Sequence, residues 1–280
     1  MNPILDLHLH TRYSDGERSP EELVKELKAN HVTCFSLTDH DNMAPFELVK
    51  RAALENDMYT FTGIEISSVF KGVEIHILGY QFDWQSPQLI EFIEERMRLR
   101  KERALLMFER LAESGFIFDE RDVEALINDH YIGRPQIANL LYAYNYISEP
   151  GQAFCDELIG DASSEAITHR LRPVEEAIAI IKQAGGLVFV AHPGLFNVDK
   201  SKQDGLNKYG FNRLIDFGID GIEVFHPRHT KSQIQRYLAL AREKSLFISM
   251  GTDYHRGDYK TNPYTLNEAK YTKDVLSWIN

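Results

Sequence analysis

The chain has 280 residues, with 31 Lys and Arg against 42 Asp and Glu, giving a formal net charge of −11. Hydrophobic residues at 43% and charged residues at 26% are globular proportions, which argue against wholesale disorder, a collagen-like fibre or a membrane bundle. A chain this acidic repels the backbone of a long nucleic-acid duplex, whereas a small phosphorylated molecule or a short oligonucleotide needs only local cations from metal or arginine.

Apolar runs at 4–9, 34–37, 59–66 and 73–80 are predicted strands of the first half. Between the first two, Ser19-Pro20-Glu21-Glu22 is a capping box with proline at the first helical position, leading into Leu23, Val24 and Leu27 on one face. From Ser86 to about Arg170 the strand signal vanishes and helical patterns take over. There Arg96, Arg100 and Arg103 share one helix face, read as solvated and laced with Glu–Arg pairs, the alternative being cations offered to a phosphate. Pro173 starts another helix, Gly185-Gly186 ends it, and strands follow at 187–191, 221–225 and 246–250. The polar stretch 197–210 reads as a mobile loop and a candidate lid.

Strands alternating with helices are the signature of a parallel α/β sheet or barrel. The expected division is a discontinuous α/β unit at 1–98 and 170–280 with a helical insertion at 99–169. Two cysteines are too few for a disulfide framework or a four-cysteine zinc site, and Cys34 and Cys155 are both read as buried structural thiols. No run reaches the ~18 apolar residues of a membrane span, so the expectation is a cytoplasmic protein with no membrane partner. Nothing in the pattern fixes an oligomeric state.

The chemistry lies in what accompanies each apolar run. Asp6, His8 and His10 alternate along the first, the second leads into Thr38-Asp39-His40-Asp41, the third carries Glu65 and the fourth His76. The fifth ends in Ala191-His192-Pro193 and the last in Thr252-Asp253-Tyr254-His255. In a parallel barrel such ends converge on one rim. Crowding imidazoles and carboxylates there without a cation costs several kcal/mol. A metal removes that cost, and imidazole with carboxylate suits zinc, manganese or iron.

In order and spacing, His8-Leu9-His10-Thr11, Ser14-Asp15-Gly16, Thr38-Asp39-His40, Gly63-Ile64-Glu65, His76, Ala191-His192-Pro193 and Thr252-Asp253-Tyr254-His255 resemble the motifs of the polymerase and histidinol phosphatase (PHP) superfamily of metal-dependent phosphoesterases. Gly133-Arg134-Pro135 and Glu223-Val224-Phe225-His226-Pro227 are similar to the standalone subgroup of nucleoside 3',5'-bisphosphate phosphatases and RNA 5'-end trimming enzymes. The resemblance implies a distorted (β/α)7 barrel with an inserted helical subdomain, holding two or three divalent ions. It implies one ion on His8, His10, Glu65 and Asp253, a second on Glu65, His76 and His192, and a third on Asp15, His40 and His255. Asp15 stands where some relatives have histidine, Thr252 where serine is frequent, and Gln136 where many have histidine.

Two cations ~3.5–4 Å apart acidify a bound water and clamp both oxygens of an in-line displacement at phosphorus, which makes hydroxide the expected nucleophile. Glu65, Asp253 and His192 are the expected catalytic residues. Asp39 and Asp41 are read either as outer groups orienting His40 or as turn caps. Arg134, His229 and His226 are the candidate substrate contacts, while His31, His130 and His169 receive no role. The leading expectation is a phosphomonoesterase of nucleotides or a 5' nuclease of short RNA. The alternatives are a phosphatase for histidinol phosphate or another metabolite, and a metal-loaded module without activity. Metal-dependent C–N hydrolysis is less well supported, because that barrel group often places lysine among its ligands and these motifs contain none.

Overall fold

The structure, a computed structural model, describes residues 3–129, 131–155, 157–160, 171–196, 208–260 and 269–279. His130, His169, most of the 197–210 loop with its lid reading, and the 161–170 end of the helical stretch lie outside the described residues.

Helix α1 (Pro20–Ala29) starts as its sequence dictates. The Glu22 N–H donates to Ser19 Oγ at 3.2 Å and the Ser19 N–H to Glu22 Oε2 at 2.8 Å, satisfying two otherwise orphaned donors. Leu23, Val24 and Leu27 then share one buried face. With α2 (Phe46–Glu55), that face covers a parallel sheet of β1 (Ile4–Asp6), β2 (Val32–Phe35) and β3 (Tyr59–Thr60).

A second sheet holds β4 (Gly63–Phe70), β5 (Val73–Tyr80), β6 (Leu187–Val190), β7 (Gly221–Phe225) and β8 (Phe247–Met250) in that spatial order. Strands β6, β7 and β8 are parallel, but β5 is antiparallel to both of its neighbours. This corrects the all-parallel expectation. Phe70 and Val73 pair across Lys71 and Gly72, whose φ values of 51° and 74° are those of a tight hairpin turn. A parallel crossover needs a dozen residues or more, and two cannot make one. The predicted 59–66 run is likewise divided, with β3 in one sheet and β4 in the other.

Backbone bonds outside the ladders join the sheets. The Leu7 N–H donates to the Met250 carbonyl at 3.1 Å, Asp253 N–H to the His8 carbonyl at 2.9 Å and His10 N–H to the Tyr254 carbonyl at 3.0 Å. On the other side, the Asp41 N–H donates to the Glu65 carbonyl at 2.8 Å and the Glu65 N–H to the Asp39 carbonyl at 3.3 Å.

Helix α3 (Pro87–Glu113) runs unbroken through residue 98. Its C-terminal half gathers α4 (Glu120–Ile127), α5 (Arg134–Ala143) and a 3-10 turn at Pro150–Phe154 around a separate apolar cluster that includes Met107, Leu111, Ile137 and Leu141. Helix α6 (Val174–Gln183) lays Ala177, Ile178 and Ile181 on the larger sheet. Among the described residues the remaining α-helices are α7 (Lys208–Phe217), α8 (Lys231–Lys244) and α9 (Ala269–Leu276). The architecture is mixed α/β. Cys34 is buried as expected, whereas Cys155, at the open end of the 3-10 turn, is exposed. Among the described residues no helix is long and apolar enough to cross a membrane.

Candidate metal centre

His8 and His10 continue the period of two beyond β1, and both are buried. His40 follows β2, His192 follows β6, and Asp253 and His255 follow β8, so these residues lie just past the carboxyl ends of parallel strands. Glu65 and His76 do not lie at strand ends, which corrects that part of the reading. Glu65 faces Leu78 and His76 faces Ser67 in the hairpin ladder, so the two are diagonal neighbours on one face.

The side chains meet around Glu65. His8 Nε2 and His10 Nε2 each lie 3.2 Å from Glu65 Oε2, and 3.3 and 3.2 Å from Asp253 Oδ1. On the other carboxylate oxygen, His76 Nδ1 lies at 2.9 Å and His192 Nε2 at 3.0 Å, while His40 Nδ1 is 3.1 Å from Oε2. Asp15 sits 3.2 Å from His255 Nε2 and 3.8 Å from both His40 Nε2 and His10 Nδ1. Three groups of donor atoms result: His8, His10, Glu65 and Asp253; His40, Glu65 and His76; and His10, Asp15, His40 and His255.

These residues fit divalent cations. His8 Nε2, His10 Nε2, His40 Nδ1, Glu65 Oε2 and Asp15 Oδ1 are buried without a hydrogen-bond partner among the described residues. Such orphaned groups are costly. Donor atoms ~2.1 Å from a tetrahedral ion lie roughly 3.4 Å from one another, close to the separations seen here.

The field favours positive charge. Burial works to lower the His8 imidazole, but Glu223, Glu65 and Asp253 outweigh it and hold it well above its ordinary value. Burial is likewise outweighed at His10, held at about 10 by Asp253 and Glu65, and at His76, held at about 9 by Glu65 and Glu74. Despite burial, Glu65 and Asp253 stay well below the usual carboxylate range because imidazoles surround them. His40 and His192 are the exceptions: burial prevails at both, driving His40 down to about 3 and lowering His192.

Outer groups hold the donors in place. The His8 Nδ1–H donates to Glu223 Oε1 at 3.0 Å, and the His192 N–H donates to the other oxygen at 2.6 Å. The sequence reading gave Glu223 no role, although a glutamate within the apolar run GIEVF was the available signal. Asp6 accepts the Thr252 N–H at 2.9 Å, the Thr252 hydroxyl at 2.6 Å and the Tyr259 hydroxyl at 2.7 Å, fastening β1 beside Asp253. Gly251 permits this approach, since a Cβ there would lie 2.2 Å from that of His8. His192 and Asp253 hold φ values of 22° and 54°, a strained backbone of the kind that clusters at functional sites.

Asp39 accepts the Thr11 N–H and the Thr11 and Ser14 hydroxyls at 2.6–2.7 Å, fixing the loop that carries Asp15. Asp41 lies between Arg96 and Arg100, with Arg100 Nε donating at 2.7 Å. Neither caps α2, whose N-cap is Pro45. Arg96, Arg100 and Arg103 are therefore not a solvated face. They are 3%, 8% and 8% exposed, because β4 and the Asp41 turn offer acceptors to Arg96 and Arg100 beneath α3, and Glu74 on β5 offers one to Arg103.

Arg134, at the start of α5, lines a cavity of about 120 Å³ together with Asp15, His40 and His76. Gln136 Nε2 donates to the Ser14 carbonyl at 3.1 Å, beside Asp15. His226 is buried with Nε2 at 3.3 Å from Asp253 Oδ2. His229 departs from its expected role. Its Nδ1–H donates to the Val224 carbonyl at 2.9 Å and its Nε2 accepts the Gly194 N–H at 3.1 Å, and burial pushes it down to about 4. With both ring nitrogens committed to backbone, it holds a turn and does not offer substrate a contact.

Together, the fold and a donor set opening on an arginine-lined cavity define a metal-dependent phosphoesterase, a hydrolase. The family profile of the PHP domain matches residues 6–164. The chain belongs to the PHP family. It is 32% identical over 253 residues to a 5'-3' exoribonuclease of Haemophilus influenzae, covering 89% of each chain. It is 27% identical over 256 residues to a 3',5'-nucleoside bisphosphate phosphatase of Chromobacterium violaceum, covering 90% of this chain and 87% of that one. A Bifidobacterium adolescentis structure assigned as a metal-dependent phosphoesterase matches with a TM-score of 0.79 and 27% identity over 97% of both chains.

Proposed function

We propose that the chain hydrolyses phosphate monoesters of nucleotides, such as nucleoside 3',5'-bisphosphates, or trims short 5'-phosphorylated RNA. The observation that carries this reading is the gathering of donors on both oxygens of Glu65, beside a cavity that Arg134 lines. The similarity to an exoribonuclease and a bisphosphate phosphatase supports the same substrate class. A cytoplasmic setting goes with that class.

In this reading His8, His10, Glu65 and Asp253 hold one ion, Glu65, His76 and His192 a second, and Asp15, His40 and His255 a third, the ions being manganese, zinc or iron. When bound, such ions supply a water acidic enough to attack phosphorus at neutral pH and neutralise charge on the transferred group. Glu65 would contribute a donor to both of the first two ions. Asp253 and His192 flank it as the other catalytic groups, and His226 steadies the outer oxygen of Asp253. Arg134 binds a phosphate that does not react. We further propose that the two sheets form one distorted barrel, a reading supported by the bonds joining Leu7 to Met250 and Asp41 to Glu65. The helical segment 99–169 then acts as a separate unit that delivers Arg134 to the rim.

The test is metal analysis of the purified protein together with phosphate release from adenosine 3',5'-bisphosphate, short 5'-phosphorylated RNA and histidinol phosphate. Turnover of either of the first two is expected. Preference for histidinol phosphate makes it a metabolite phosphatase, and metal without turnover of any ester makes it a non-catalytic module. Arg134→Ala is expected to raise KM with little change in kcat.

A further inference from the structure

The cavity beside His40 and His76 is lined by three arginines, Arg100, Arg103 and Arg134, and they are not equivalent. Arg100 is engaged through both Nε and Nη2, donating to Asp41 Oδ2 at 2.7 Å and to the Ser67 hydroxyl at 2.8 Å, with its guanidinium 4.6 Å from the Tyr131 ring centre. Arg103 and Arg134 instead converge on a single atom. Each donates through Nη2 to Glu74 Oε2 at 3.3 Å, so one carboxylate oxygen serves two guanidiniums.

Arg103 is only 8% exposed, and its Nε–H is buried without a partner among the described residues. A charged donor left without an acceptor is expensive to maintain inside a protein. The start of α5, residues 133–135, opens onto the same space and favours negative charge there. A guanidinium edge with one nitrogen tied and another orphaned matches an incoming phosphate, which brings several acceptor oxygens in a fixed geometry.

We propose that Arg103 is a substrate-binding residue that grips a phosphate oxygen through Nε, and that Glu74 is the positioning residue that keeps its fork turned into the cavity. This assignment rests on the phosphoesterase reading above and extends it to a residue on α3. Because Glu74 also lies 3.7 Å from His76 Nε2 through its other oxygen, it ties the arginine seat to the centre.

The experiment is calorimetric titration of inorganic phosphate into the metal-loaded protein, with kcat and KM measured in parallel on adenosine 3',5'-bisphosphate. Arg103→Met is expected to weaken phosphate binding about tenfold or more and to raise KM by a similar factor. Its kcat should stay within about threefold of wild type, with metal content and Tm unchanged. Glu74→Gln is expected to give a smaller KM rise, partly rescued in Glu74→Asp. Should Arg103→Met fail to fold, Arg103→Lys keeps the charge, loses the Nε donor and is expected to give the same weakening. An active wild type whose Arg103 variants bind phosphate equally well overturns this assignment alone. A metal-loaded wild type that neither binds phosphate nor hydrolyses any ester overturns it together with the reading beneath it.

Discussion

Glu223 lies 3.0 Å from His8 Nδ1 with both side chains closed to solvent, and this contact turns the Nε2 edge of His8 toward Glu65 and Asp253. A carboxylate behind a ligating histidine fixes the ring and its tautomer, and losing one typically costs 10- to 100-fold in metal affinity or activity. Glu223→Gln is therefore expected to weaken metal binding by about that factor, measured by competition with a chromophoric chelator. Metal affinity equal to wild type would remove Glu223 from the centre.

His192→Ala and Asp253→Asn strike the donors themselves. Each should lower kcat by more than the roughly 10- to 100-fold expected of an outer partner, while far-UV circular dichroism stays close to wild type. An unchanged kcat in Asp253→Asn would contradict its assignment as a ligand.

Metal binding should release protons. His8, His10 and His76 all sit above the ordinary imidazole range, His10 at about 10 and His76 at about 9, so at pH 8 His10 and His76 carry protons that a cation must displace. The sign follows directly: affinity rises with pH up to those values and falls as the solution is made more acid. Titrating Mn²⁺ in two buffers of different ionisation enthalpy reads the number released, and a buffer-independent heat would refute the expectation.

Asp41 is buried between two guanidiniums. Burial works to raise its carboxyl, and Arg100 and Arg96 outweigh burial to hold it below the ordinary value. A carboxyl lowered on folding stabilises above the unfolded-chain value near 3.9, and that contribution is lost as pH falls through the folded value. Asp41→Asn should cost about 3–5 kcal/mol at pH 7 in urea unfolding, because two buried cations lose their partner. The gap from wild type should narrow below about pH 4.

The sequence made the short-range parts of the centre readable. His8 and His10 are two residues apart, and strand periodicity alone puts the pair on one side. The direction of β5 was harder, because an apolar run carries no polarity and only Lys71 and Gly72 betrayed the hairpin. Arg96 and Arg100 were misread because a charged helix stripe looks the same in sequence whether it meets water or a buried aspartate. His229 was misplaced for a related reason. A position near a strand end says where a ring sits, and its nitrogens had already been claimed by the Val224 carbonyl and Gly194 N–H.

The turn at Lys71 and Gly72 has a consequence for how the molecule is made. Glu65 and His76 belong to one hairpin, and such units close in about 1–10 μs. Their meeting need not await His192 or Asp253, which arrive only after long stretches of chain have been ordered. A chain still emerging from synthesis therefore carries the seed of its centre well before the last donors exist.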